Sequence, residues 1–232
     1  DLVLVDNHFE IDFIDFEQQI IKNNIKTFVL INPHNPTGKV FNKAELIKII
    51  EICQTNNVLI ISDEVQSNII FEPHIYFPIA SLSNYSKIIT ITSASKTFNL
   101  QGLTLASIIV KNQELFNLIY EEIKGYDMDF ATNILSMEAT KTAYNECEDW
   151  LEKLKTYLTN NQNYVLDFFK DNDLNIKPIK LEGSYTMYLD CSKLNLSAQE
   201  LEDFFINKAK VYLTFETSYD LSEGKFVRLN IG

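Results

Sequence analysis

The hydrophobic pattern of this chain changes period along its length. Thr27-Phe28-Val29-Leu30-Ile31, Val58-Leu59-Ile60-Ile61 and Ile88-Ile89-Thr90-Ile91-Thr92 are short, continuous apolar or β-branched runs. That is the pattern of strands buried on both faces of a parallel sheet. Leu105 to Val110 predicts a fourth strand. Between the first two runs, Leu46, Ile49, Ile50 and Cys53 recur at helical spacing behind Asn42, and Glu45 completes a capping box. Asp15 to Asn23 predicts a short helix capped by Asp15. Further helical patterns run from Gln113 to Lys124 and from Thr132 to Asp171, with a break near Asn145. Buried strands alternating with helices predict an α/β domain with a mainly parallel sheet.

Past the long helical stretch the texture becomes α+β. Lys180 to Asp190 predicts a strand, Ser197 to Asn207 a capped helix, and Val211 to Phe215 and Phe226 to Ile231 two more strands. The expected organisation is a larger domain over residues 1–145 and a smaller C-terminal domain over residues 146–232. There are no internal repeats and no low-complexity segments.

With 232 residues and 46% hydrophobic content the chain can bury a sizeable core. A formal charge of −12 opposes binding to a nucleic-acid backbone, which needs clustered Lys and Arg. Cys53, Cys147 and Cys191 are widely spaced and read as reduced, buried small hydrophobes. His8, His34 and His74 have no metal-ligand spacing. No apolar run is long enough to span a bilayer, and the opening DLVLVDNHFEIDF lacks the charged start of a signal peptide. The chain therefore reads as cytoplasmic, and both of its ends read as cut from something longer.

In open parallel sheets, ligands bind beyond the carboxyl ends of the strands. The three runs deliver Asn35, Asp63 and Lys96 to that edge. Taken singly, they would be an ordinary Asn-Pro turn, a helix cap and a solvated amine. Together, one carboxamide, one carboxylate and one amine form a chemical set.

The segments NPHNPTGKVF, SDEVQSNIIF, SASKTFNLQGL, EGSYTMYLD and FVRLNIG resemble, in this order, the class I/II aminotransferase family of fold type I pyridoxal-phosphate enzymes. The fullest resemblance is to the carbon–sulfur β-lyase subgroup, which is cystathionine β-lyase-like. It implies a three-layer αβα large domain with a mainly parallel sheet, followed by a smaller α+β domain. It also implies pyridoxal 5'-phosphate as cofactor. Lys96 would form the Schiff base with the cofactor aldehyde, which needs an amine of depressed pKa. Asp63 would pair with the pyridinium nitrogen and keep the ring an electron sink. Asn35 would hydrogen-bond the ring oxygen O3', near which relatives often carry Tyr or His at the position of Gln66. Ser93 and Ser95 would serve the phosphate, and Arg228 would clamp the substrate α-carboxylate through a bidentate fork. Thr104 stands where many aminotransferases place a second phosphate-binding arginine.

The implied reaction cleaves the Cβ–S bond of cystathionine or a related cysteine S-conjugate to a thiol, pyruvate and ammonia. Transamination of amino acids and effector sensing are the alternatives. Family members are usually homodimers acting on small-molecule amino-acid substrates. The family's Gly-containing phosphate loop and its ring-stacking aromatic have no counterpart in this sequence. The resemblance therefore implies that the chain alone binds pyridoxal phosphate weakly and lacks lyase activity.

Overall fold

The computed structural model describes residues 2–126, 133–172, 174–215 and 225–232. The chain opens with a hairpin of β1 (Leu2–Val5) and β2 (His8–Ile11), which the hydrophobic pattern did not reveal. Helix α1 (Phe13–Lys22) follows, and its cap is Asp12 rather than Asp15. The Asp12 carboxylate accepts from the backbone N–H groups of Ile14 and Asp15 at 3.0 Å each. Asp15 lies inside the first turn, where an acidic side chain suits the helix dipole, and accepts from Gln19 Nε2.

The main sheet runs β3 (Thr27–Ile31), β4 (Leu59–Asp63), β5 (Ile88–Thr92) and β6 (Ser107–Val110). The first three are parallel and β6 is antiparallel to β5. Helix α2 (Lys43–Thr55) begins at the expected Asn42–Glu45 capping box, and its Leu46, Ile49 and Cys53 are fully buried. These side chains close over Leu30, Ile60 and Ile88, which alternation places on one face of the sheet.

The opposite face is only partly covered, with Ile89 buried but the outer strands exposed, which corrects in part the expectation that the strands are buried on both sides. Val29 on β3 is 55% exposed and Ile108 on β6 is 42% exposed. They share that face with Ile61, Asp63 and Ile91, as the strand register requires. A continuous apolar run shows what a strand can bury, but not which faces its neighbours cover.

After a short helix α3 (Ala94–Thr97), helix α4 (Gln113–Gly125) follows β6. The long helical pattern resolves into α5 (Ile134–Glu146) and α6 (Glu148–Asp171), joined at Cys147. A second sheet, in the order β7 (Lys177–Pro178), β8 (Thr186–Asp190), β10 (Phe226–Asn230), β9 (Thr214–Phe215), is antiparallel throughout. Helix α7 (Ala198–Asp203) starts at a Ser197–Glu200 capping box and continues into a π-helical turn over Phe204–Ala209. Leu158, Met187, Leu201, Phe205 and Val227 lie in the core of this part. Among the described residues, no helix is long and apolar enough to cross a membrane.

The strand expected over Lys180–Asp190 begins only at Thr186. Residues before it grip the first sheet's loops instead. Glu182 and Gly183 both donate backbone N–H groups to Gly38 O, at 3.1 and 2.9 Å, and Ser184 donates its own to Ile69 O. The Glu182 carboxylate accepts from Val40 N at 2.8 Å. Gly38 adopts φ +72°, and a Cβ there would lie 2.2 Å from a Leu181 methyl. Glycine is the residue that tolerates both constraints.

Candidate active site

The parallel strands end at one edge, and backbone bonds extend their alignment past it. Asn32 N donates to Asp63 O at 2.9 Å, and Glu64 N donates to Ile91 O at 2.8 Å. Asp63, the last residue of the central strand β4, lies half-buried on the open face. Its Oδ1 accepts from Val65 N at 3.1 Å, so the carboxylate caps the turn that follows. Glu64 points into the covered side, where Ser62 Oγ, Ile79 N and the Tyr76 hydroxyl all donate to its carboxylate. Burial holds the Glu64 carboxyl above the usual carboxylate range, and those hydrogen bonds oppose it.

At the end of β5, Ser93 caps α3. Its Oγ accepts from Ser95 N at 3.1 Å and donates to Leu105 O at 2.5 Å, so its one hydroxyl proton is committed within the chain. Lys96 is half-buried and donates from Nζ to Gln101 Oε1 at 3.1 Å. Ser93, Ser95, Lys96 and Thr104 line one cavity of about 780 Å³, whose wall includes Val65 and Ile91. Ile91 is the strand partner of Asp63, and Val65 is the residue that Asp63 caps. The carboxylate thus belongs to the same open face as the lysine. The apolar stripe of α4, Phe116, Ile119, Tyr120 and Ile123, forms another side of the cavity.

Asn35, Gln66 and Arg228 meet in a separate polar network. Arg228 Nη1 donates to Asn35 Oδ1 at 3.3 Å and Nη2 to Thr214 Oγ1 at 3.1 Å. Thr186 Oγ1 lies 3.5 Å from Asn35 Oδ1 and 3.2 Å from Ser184 Oγ. The Ser184 hydroxyl reaches Gln66 Oε1 at 2.5 Å. Gln66, Ser184 and Thr186 are all buried. The Tyr185 phenol beside them is raised by burial, with the Arg228 charge acting the other way.

The structure therefore gathers Ser93, Ser95 and Lys96 around one cavity, sets Asp63 next to its Val65 and Ile91 wall, and joins Asn35, Gln66 and Arg228 in a hydrogen-bonded network. Sequence reasoning did not single out Gln101, Ser184, Thr186 or Thr214. The EGSYT segment containing two of them was visible as a motif, but its partners lie more than a hundred residues away.

Residues 2–232 match the family model described as aminotransferase class I and II. The chain belongs to that family. As a class I and II aminotransferase family member, it is 33% identical over 229 residues to "Cystathionine beta-lyase PatB" of Bacillus subtilis, a match that covers 98% of this chain and 59% of the relative. A pyridoxal-phosphate-bound protein of Clostridium difficile 630 superposes with a TM-score of 0.92 at 34% identity, over 99% of this chain and 59% of that one. A pyridoxal-phosphate-bound C–S lyase from Staphylococcus hominis gives 0.87 at 32% identity, with the same coverage. The chain thus spans about 59% of the length of these family members.

Proposed function

We propose that this chain carries the lysine-bearing part of a pyridoxal-phosphate-dependent carbon–sulfur β-lyase acting on cystathionine or a related cysteine S-conjugate. The observation that carries this reading is the shared open face of Asp63 and Lys96. An amine on the exit turn of β5 lines a cavity with hydroxyl groups at its side, and a carboxylate ends the neighbouring strand β4 beside Ile91 and Val65 of the cavity wall. That donor set suits the cofactor, which has a ring nitrogen to meet a carboxylate, an aldehyde to meet an amine, and a phosphate to meet hydroxyl and backbone N–H donors. Two of the relatives above are named as lyases and support the lyase outcome, whereas the Clostridium difficile protein is named as an aminotransferase.

Each residue has a task that its surroundings support. Lys96 would hold the cofactor aldehyde and, once released by the substrate amine, take the proton from the substrate Cα. Gln101 holds that amine at the cavity in the meantime. Asp63 would hold the ring-nitrogen proton. The N-terminal turn of α3, with Ser95, would meet the phosphate, because Ser93 is engaged with Leu105. Arg228, braced by Asn35 and Thr214, would receive the substrate carboxylate. When bound, the cofactor supplies the electron sink that lets the thiolate leave from Cβ.

The test is borohydride reduction of the protein with pyridoxal phosphate, followed by peptide mapping. The pyridoxyl label is expected on Lys96, and a pyruvate assay with cystathionine on the full-length protein tests the reaction. A label confined to other lysines would end this assignment.

A further inference from the structure

The amine of Lys96 has a very short support. Helix α3 has four residues, far fewer than a helix needs to hold itself together, so its place is fixed from outside. The excursion from β5 to β6 that carries it is closed at its neck by Ser93 Oγ, which donates to Leu105 O at 2.5 Å. Within that neck, Phe98 N donates to Ala94 O at 2.9 Å and Leu100 N to Ser95 O at 3.0 Å. All of these bonds are internal to the excursion, so they set its shape and not its position. Ala94 and Thr97 are buried beneath it, but both are small.

Phe98 ties the excursion to the rest of the molecule. Two residues after the lysine, its ring enters the corner where α5 and α6 join at Cys147. It meets the Tyr144 ring of α5 edge-on, with centroids 5.5 Å apart and planes at 82°, and lies 5.8 Å from the Trp150 ring of α6 at 31°. Both separations fall in the favourable range for aromatic pairs. The socket is itself held in place. Further along α6, Asn161 Nδ2 donates to Ile231 O at 2.7 Å and Gln162 Oε1 accepts from Leu181 N at 2.6 Å, which fixes the helix that carries Trp150. Past Phe98 the chain turns through a left-handed Asn99 at φ +54° and returns to Gln101, the partner of the Lys96 amine at 3.1 Å. The anchored ring thus lies between the amine and its partner in the chain.

We propose that Phe98 is a positioning residue for Lys96: its ring, seated between Tyr144 and Trp150, holds the amine and Gln101 at the cavity. The proposal rests on the pyridoxal-phosphate reading in one respect, that the amine held there is the one that meets the cofactor aldehyde. A merely structural ring would add stability and leave the chemistry of the amine alone. With a positioning ring, its loss changes how readily Lys96 reacts while the chain stays folded.

The experiment uses the full-length protein as wild type, Phe98→Leu, Phe98→Tyr and Trp150→Leu. Trp150 is 43% exposed, so its replacement opens the socket without emptying the core. Circular dichroism checks that each variant is folded, and if Phe98→Leu does not fold, Trp150→Leu alone decides. The first readout is taken without cofactor. It is competitive acetylation with acetic anhydride, mapped by mass spectrometry, with the exposed Lys48 of α2 as internal reference. The ratio of Lys96 to Lys48 labelling is expected to rise about five-fold in Phe98→Leu and Trp150→Leu, the scale of one aromatic pair, and to stay within about two-fold in Phe98→Tyr. The second readout is pyridoxyl incorporation at Lys96 by borohydride across a pyridoxal phosphate titration, whose half-saturation should rise by the same factor in the same two variants. Unchanged or lower labelling ratios in the leucine variants would overturn the positioning role. Raised ratios in a protein whose wild type takes no pyridoxyl label at Lys96 would overturn the cofactor reading and keep Phe98 as the anchor of the amine.

Discussion

Arg228 on β10 donates to Asn35 Oδ1 at 3.3 Å, joining two residues 193 positions apart. The guanidinium also donates to Thr214, so both arms of its fork are engaged. Arg228→Lys keeps the charge but cannot keep both contacts. A charge-assisted bond contributes about 1.5–3 kcal/mol, so the variant is expected to unfold at lower urea concentration even without ligand. Unchanged urea unfolding would show that the contact holds nothing together.

Asp63→Asn tests the central strand's carboxylate. An asparagine Oδ1 can still accept from Val65 N, so the cap survives and the melting temperature should stay close to wild type. On the proposed reading the lost charge would face the ring nitrogen, so the full-length protein's pyridoxal phosphate affinity should nevertheless fall by about ten-fold or more. Normal affinity would reduce Asp63 to a cap.

His34 provides a pH prediction. Burial, aided by the Lys39 charge, lowers its imidazole from 6.5 to about 4. The folded state therefore binds the proton less readily than the unfolded chain does. The associated stability is complete above pH 6.5 and is lost as the pH falls from there through 4. At about 1.4 kcal/mol per unit, this one ring accounts for about 3 kcal/mol. Urea unfolding of wild type against His34→Asn should show a steeper acid loss in the wild type. In NMR titration the His34 ring should stay neutral down to pH 5, and a midpoint near 6.5 would contradict its burial.

Gly38→Ala should destabilise the chain by about 1–3 kcal/mol, because the left-handed backbone and the Leu181 methyl both oppose a Cβ. Calorimetry of the variant checks this. Gly38→Ala combined with Leu181→Ala should recover part of the loss, since the second change removes the clashing methyl.

Much of the site was legible because short motifs carry it. The SASK turn, the Asp63 that ends a strand and the Asn35 of an Asn-Pro-Thr-Gly loop can be read from local pattern, since strand ends converge wherever a parallel sheet forms. What decides their orientation was not legible. Ser184 holds Gln66 only because residues 181–184 cross the Gly38 loop, and no periodicity encodes that crossing. The Asp12 cap was missed because Asp15 offered the same chemistry three residues later. The open face of Val29 and Ile108 was missed for another reason: a strand's composition is silent about which layers lie over it.

The hairpin that begins the chain has a consequence for folding order. Phe9 on β2 packs against Tyr188 and Phe226, with ring centroids 6.3 and 6.2 Å apart, while those two rings stack on each other at 5.2 Å. Its neighbours Leu2 and Ile11 pack instead against the first sheet's core. The hairpin therefore lacks part of its packing until β10 has been made and paired. Contacts of such sequence separation favour slow folding, so docking of the hairpin should be a late event that closes the chain on itself.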